Sequence, residues 1–518
     1  MVRLTLFYVL LLGMGPVVWG QQLILGPYLQ KGTPTSVTLC WETDKPTPGV
    51  AWGMSGDKYV EARSAAPARH HEVQLTGLNP GLPLYWQVGT ARDKPLIPAE
   101  GTYHPLIPAG QPASISFVAM GDMGNGSEGQ RQVARRMDSL AKEDRIDFWI
   151  PLGDQAYLLG TDREYRKLFF PYYTTTMGTV PTYPIPGNHD YYTGKGKPYY
   201  RFFVLPTAGE AGGVPSGTER FYSFDHGPVH FVMLNSEERH LIADSTSPMR
   251  RWLEADLKAS RAKWKIVCWH QPPYTKGSHD SDNPKDMNSA LTRQHLVAVV
   301  ERHGADLVLH GHSHSYERSK LIRNHTGPSS TWNSELMQYD GGTGGATQPY
   351  LKRFADSPGT VYCVVGNGGK LSPGHALNHP VMVRCQDTAQ GLLRVDISGD
   401  TLFARHITRS GAVVDSFYIV KPYSTLPEPE ILTRIDFRLT GAGQWQVSYE
   451  QRKLGRPQVT LYDARGRKPY RLTGFPDVAQ SGKYTFNVTA DARKMPRGRV
   501  WVRVELEGKV EWLPSAVD

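Results

Sequence analysis

Cysteine is scarce: the 518-residue chain has four, Cys40, Cys268, Cys363 and Cys385. So few excludes a disulfide-stapled scaffold, and their spacings exclude a zinc knuckle. Cys40 in "VTLCW" and Cys268 in "IVCWH" lie in apolar runs and read as buried thiols. Cys363 and Cys385 are left open to pairing in an oxidising compartment. Long hydrophobic runs are missing beyond the N-terminus, so no later segment reads as a bilayer-spanning helix. There is no dense Lys/Arg block either. The formal charge of +9 is spread thinly, which favours anionic substrates weakly and argues against nucleic-acid-specific binding. Internal repeats and low-complexity tracts are absent as well.

The chain begins "MVRLTLFYVLLLGMGPVVWGQQ". One Arg, an apolar stretch from Leu4 to Met14 and a small-residue exit fit a secretory signal peptide cleaved after Gly20. Gly13, Gly15 and Pro16 break the run too early for a membrane span. The mature protein is therefore expected to be exported, secreted or periplasmic, with no membrane span. "NHT" at Asn324 and "NVT" at Asn487 are glycosylation sequons, meaningful in a eukaryotic secretory pathway.

Three segments differ in rhythm. Residues 21–110 carry short runs rich in β-branched and aromatic residues, such as "SVTLCWETD" and "LYWQVGTA", punctuated by "LNPGLP". A small β-sandwich is the natural reading. Residues 111–424 alternate apolar strands ("ISFVAMGD", "FWIPLGDQ", "VHFVMLNS", "WKIVCWHQ", "ADLVLHGH") with helical patterns such as "EGQRQVARRMDSLAKE", where Val133, Met137 and Leu140 share a face. That alternation implies an α/β domain whose functional loops leave the carboxyl ends of the strands. After "TLPEPE" the helical pattern stops, and residues 425–518 read as a third, strand-only domain of unknown role.

The polar residues at those strand ends carry the chemistry. They are "MGDMG" (Asp122), "LGDQAY" (Asp154, Tyr157), "PGNHD" (Asn188, His189), "VCWH" (His270) and "GHSH" (His312, His314). Any one of them alone is a turn or a hydrogen-bonded strand end. Together they supply hard oxygen donors and imidazoles, the inventory of a mixed dinuclear site. One shared Asp can bridge two ions roughly 3.5–4 Å apart, the spacing of in-line phosphoryl displacement. Gly beside each donor is expected to let the backbone turn towards a common ion.

The ordered set G-D-x-G, G-D-x-x-Y, G-N-H-D, V-x-x-H and G-H-x-H, at residues 121–124, 153–157, 187–190, 267–270 and 311–314, resembles that of the purple acid phosphatases, within the calcineurin-like metallophosphoesterases. "SYER" (Ser315 to Arg318) and the N-terminal sandwich resemble the plant-type branch with its fibronectin III-like domain. The resemblance implies a metallophosphoesterase-type β-sandwich flanked by helices (α/β/β/α), between the N-terminal sandwich and the C-terminal all-β domain. It implies two metal ions: Fe(III) held by Asp122, Asp154, Tyr157 and His314, and a divalent Zn, Mn or Fe held by Asn188, His270 and His312, with Asp154 bridging. Tyr157 takes a place where the wider superfamily commonly has His. His189 and His279 become the catalytic side chains, stabilising phosphoryl charge and protonating the leaving oxygen. A second His often follows the one matched by His279; here Asp280 stands there. His310 has no ligand role in the pattern and reads as structural. "VVGNGGK" (365–370) lacks Walker spacing and reads as a tight turn near the site mouth.

The expected function is that of a secreted acid phosphatase hydrolysing small-molecule phosphate monoesters by attack of a metal-bound hydroxide. A phosphodiesterase or nucleotide pyrophosphatase using the same site is the alternative. A non-catalytic surface-binding protein with a decayed centre is the alternative of another class.

Overall fold

The computed structural model describes residues 21–352, 359–421 and, further on, 432–441, 444–451, 457–463, 470–473, 482–489, 498–506 and 509–517. The expected signal peptide (1–20) and the "TLPEPE" linker lie outside the described residues. The chain divides into two compact units: one runs to Pro105 and includes Tyr173–Pro181, and the other comprises Leu106–Tyr172 and Thr182–Asp518.

In the first unit β1 (Leu23–Gln30), β2 (Ser36–Thr47) and β5 (Ala68–Thr76) form one sheet. The other, ordered β4-β3-β6-β7, contains β3 (Val50–Ser55), β4 (Lys58–Arg63), β6 (Leu84–Ala91) and β7 (Lys94–Tyr103). The two-residue strand period sends Val37, Leu39 and Trp41 of β2 and Leu84, Trp86 and Val88 of β6 into one core. This is the small sandwich expected from the sequence.

The second unit begins with β8 (Ile115–Met120), β9 (Phe148–Pro151), β10 (Tyr222–His226), β11 (Val229–Met233), β12 (Trp264–Cys268), β13 (Leu307–His310) and β14 (Tyr316–Ser319). It continues with β15 (Tyr350–Leu351), β16 (Val361–Val365), β17 (Met382–Gln386), β18 (Gly391–Ser398), β19 (Thr401–Thr408) and β20 (Val413–Val420). One mixed sheet has the order β10-β11-β12-β13-β16-β14-β17, and the other β15-β20-β19-β18-β8-β9. The run β11 to β13 and on to β16 is parallel, as is the pair β8 and β9.

The two sheets pack through aromatic side chains. Phe231 of β11 meets Phe117 of β8 and Phe148 of β9 at ring-centroid distances of 5.4 and 4.9 Å. One residue along, Val232 points the opposite way, into a cluster with Trp252, Leu253 and Leu257 of the helix Pro248–Ala259 and with Leu296 and Val300. The same alternation thus builds the sandwich core and seats a helical layer outside it. The helix Glu128–Glu143 buries Val133, Met137 and Leu140 as its period requires, with Ser127 capping its first turn. The described strands between Leu432 and Val517 form a separate seven-stranded sheet around Trp445, Val447, Leu461 and Val502.

The strands close the question of Cys363 and Cys385. β14 runs between them, Arg318 pairing with Cys363 and Glu317 with Cys385. Two strand spacings of about 4.8 Å exceed the reach of a disulfide, near 7 Å between Cα atoms. Both thiols are free.

Away from the strand ends, buried His230 bridges two carboxylates, with Nδ1 2.7 Å from Asp225 and Nε2 2.8 Å from Asp256. Burial alone would depress its pKa, but the two carboxylates outweigh that and raise it to about 9. A raised folded-state value gives stability that is full below the unfolded value, near 6.5, and lost as pH rises through about 9. The Tm difference between wild type and His230→Gln should therefore narrow between pH 7 and 10, as followed by thermal melts. A constant difference contradicts the bridged imidazolium.

Candidate metal centre

The sandwich gathers the expected donors at one end. Asp122 and Asp154 follow the parallel strands β8 and β9 of one sheet, while His270 and His312 follow β12 and β13 of the other. Asn188 opens the short helix Asn188–Tyr192. Asp122, Asp154 and His312 have φ of 58, 56 and 68°, in the left-handed region that non-glycine residues seldom enter. Such conformations persist where the surroundings impose them, typically at functional sites. Here the Asp122 N–H donates to Gly153 O at 3.0 Å and its carbonyl accepts from Lys370 N at 2.8 Å.

Gly153, just before Asp154, takes a left-handed turn (φ 93°) as expected, but two other glycines do something different. At Gly187 and Gly311 the backbone needs no left-handed turn; the need is space. A Cβ on Gly187 would stand 2.2 Å from Asp154 Oδ1, and one on Gly311 would stand 2.6 Å from Asp122 Oδ2. The turning falls on Gly153, Asp122, Asp154 and His312, while Gly187 and Gly311 leave room for the carboxylates.

The donor atoms converge. Tyr157 OH donates to Asp122 Oδ1 at 2.9 Å, and His314 Nε2 lies 3.6 Å from the same oxygen. Asn188 Oδ1 lies 3.2 Å from His270 Nε2 and 3.0 Å from His312 Nδ1. His270 Nε2 is also 3.5 Å from Asp154 Oδ1. The other ring nitrogens are already engaged: His270 Nδ1 with Leu152 O at 2.7 Å and His314 Nδ1 with Ser372 Oγ at 2.9 Å. Those outer bonds aim Nε2 of both rings at the cluster, the arrangement that orients metal-ligating histidines.

Electrostatics point the same way. Burial, together with the Asp154 charge, pushes the Asp122 carboxyl well above its usual range. Burial and the two carboxylates likewise hold the Tyr157 phenol far above 10. Two buried acids and a phenol facing one another repel when ionised, and a cation among them reverses that sign. The set therefore fits metal ions, with anionic oxygens on the Asp122 side and imidazoles with an amide on the Asn188 side.

Both expected catalytic histidines border this cluster. The His189 ring lies 4.3 Å from that of Tyr157, its Nε2 is 3.9 Å from Asp154 Oδ2, and Nδ1 is held by Leu158 O at 2.6 Å. His279 stacks on His312 at 3.9 Å. Asp280 is turned to Lys276, with contacts of 2.8 and 2.9 Å. His279 Nδ1 instead meets Asp286, at 3.2 Å. Sequence reasoning missed Asp286, because nothing separates it from the other acids of "HDSDNPKD". It also gave no role to Asp190, which lies inside a motif that was read. Fully buried, Asp190 accepts from Gly187 N (2.9 Å), Asp154 N (2.8 Å) and Tyr165 OH (2.6 Å), tying two donor loops together.

His310 stays out of the cluster. Its Nδ1 bonds Trp269 O at 3.0 Å and its ring packs beside Trp269 and Tyr362. The 365–370 turn supports the Asp122 loop, with Gly368 N bonding Gly121 O at 3.0 Å. It also places Lys370 Nζ 4.8 Å from the centre of the Tyr157 ring.

Residues 115–316 match the calcineurin-like phosphoesterase family model, a span that includes all seven expected metal donors. The chain carries a calcineurin-like metallophosphoesterase domain. That family is one of phosphoric ester hydrolases. The chain is 28% identical over 308 residues to purple acid phosphatase 21 of Arabidopsis thaliana, covering 58% of each chain. It is 25% identical over 436 residues to human acid phosphatase type 7, covering 76% of this chain and 89% of that one. The fold is shared with a purple acid phosphatase from yellow lupin (Lupinus luteus) seeds, with a TM-score of 0.61 and 19% identity, over 76% of this chain and 74% of that one. No helix among the described residues is long and apolar enough to cross a membrane.

Proposed function

We propose that the metallophosphoesterase domain is an exported acid phosphatase hydrolysing phosphate monoesters at an Fe(III)–divalent pair, the second ion being Zn, Mn or Fe. Asp122, Asp154, Tyr157 and His314 would hold the ferric ion and Asn188, His270 and His312 the divalent one, with Asp154 shared. The observation that carries this reading is the meeting of Tyr157 and His314 on one Asp122 oxygen, beside Asn188 bridging His270 and His312. When bound, the two ions supply Lewis-acid charge to the phosphoryl group and lower the pKa of water.

The chain's own residues supply the rest. His189 and His279 flank the cluster, placed to stabilise phosphoryl charge and to pass a proton to the departing oxygen. Leu158 O holds Nδ1 of His189, whose Nε2 lies 3.9 Å from Asp154 Oδ2, and Asp286 holds Nδ1 of His279. Lys370 adds its positive charge at the mouth to that of the ions. A cluster of cations suits a dianionic monoester better than a monoanionic diester. The full-length protein should therefore turn over p-nitrophenyl phosphate with a higher kcat/KM than bis-p-nitrophenyl phosphate. The reverse order replaces this reading with a phosphodiesterase.

A further inference from the structure

Leu158 and Leu159 are 62% and 54% exposed, and Tyr192, which packs edge-on to His189 at 5.1 Å, is 59% exposed. Single exposed leucines are ordinary, but a contiguous apolar patch beside a polar reaction cluster marks a binding surface. The backbone beneath it is fastened. Glu164 accepts from Leu158 N at 2.5 Å and Leu159 N at 3.1 Å, His189 Nδ1 holds Leu158 O, and Thr193 OH holds Leu159 O at 2.7 Å. The loop is thus held rigid while its side chains face water. On the His312 side the cluster is bordered by the polar pair His279 and Asp286.

We propose that Leu158, Leu159 and Tyr192 form a platform for the alcohol portion of the ester, and that it selects aryl phosphates over esters of small polar alcohols. This rests on the phosphomonoesterase reading of the cluster. The phosphoryl group is drawn to the metal donors and His189, which leaves the organic group against the nearest apolar surface. The platform belongs to the substrate because it is continuous with His189 through both the Leu158 carbonyl and the Tyr192 ring.

The test compares kcat/KM for phenyl phosphate and glycerol 2-phosphate in the full-length wild type, Leu158→Ser and Leu159→Ser. Leaving-group reactivity cancels when the ratio of the two is compared between proteins. The aryl preference should fall about tenfold in each variant, the scale of losing apolar contact with one ring. Wild type also provides a test without substitution: phenylphosphonate should inhibit several-fold more tightly than methylphosphonate. Unchanged ratios with equal inhibition by the two phosphonates overturn the platform and leave the phosphatase reading standing. Hydrolysis of neither ester by metal-loaded protein overturns both.

Discussion

Asp154→Asn should abolish nearly all phosphatase activity and release at least one metal ion. The change removes one charge and leaves the shape, so the effect isolates the shared carboxylate. Asp154 lies between His270 and His189, and it is the one expected donor common to both ions. Its loss should exceed the roughly 10–100-fold cost of removing a hydrogen-bond partner of a ligand. The fold itself should hold. An Asn oxygen can still accept from His189 N, as Asp154 does at 2.9 Å. Removing one of two facing carboxylates also relieves the repulsion that pushes Asp122 upward. Two ions per chain with normal turnover would exclude Asp154 as the bridge.

Gly187→Ala should be nearly as severe, for a steric reason. The φ at Gly187 is −105°, which alanine adopts freely, so no backbone strain is introduced. The added Cβ would stand 2.2 Å from Asp154 Oδ1 and 2.4 Å from Asp154 N. The carboxylate can rotate away, but the backbone nitrogen cannot. The Asp154 loop must move as a piece, carrying the donor with it, and small displacements in such sites cost about a hundredfold. Metal content and kcat should fall together, read by elemental analysis and turnover of p-nitrophenyl phosphate. Full metal content and full rate would show that the Gly187–Asp154 contact is slack.

How much of this was legible in the sequence depended on range. Asp122, Asp154, His270 and His312 could be named because they follow apolar strands, and parallel strands deliver their carboxyl ends to one side of a sheet; Asn188, expected at a strand end, instead opens a helix. The helix through Val133, Met137 and Leu140 was equally readable from its period. Asp286 was not, since its importance comes from the fold of a polar loop that brings it to His279 and His312. The left-handed backbone at Asp122 and Asp154 was also hidden, because the adjoining glycines offered a simpler explanation of the turn. Cys363 and Cys385 gave no sign of the strand between them. Nothing in the sequence marks Leu158 and Leu159, because their exposure beside His189 is set by the fold.

The central claim is that this cradle holds two ions with Tyr157 on a ferric one. Elemental analysis of the full-length protein purified without chelators, joined to its visible spectrum, tests that claim most directly. A phenolate on Fe(III) absorbs broadly in the visible, so the account predicts two ions per chain, at least one of them iron, and a coloured protein whose visible band disappears in Tyr157→Phe. Folded protein that takes up no metal from added iron and zinc, or an iron-loaded, peroxide-oxidised protein whose band survives Tyr157→Phe, contradicts it.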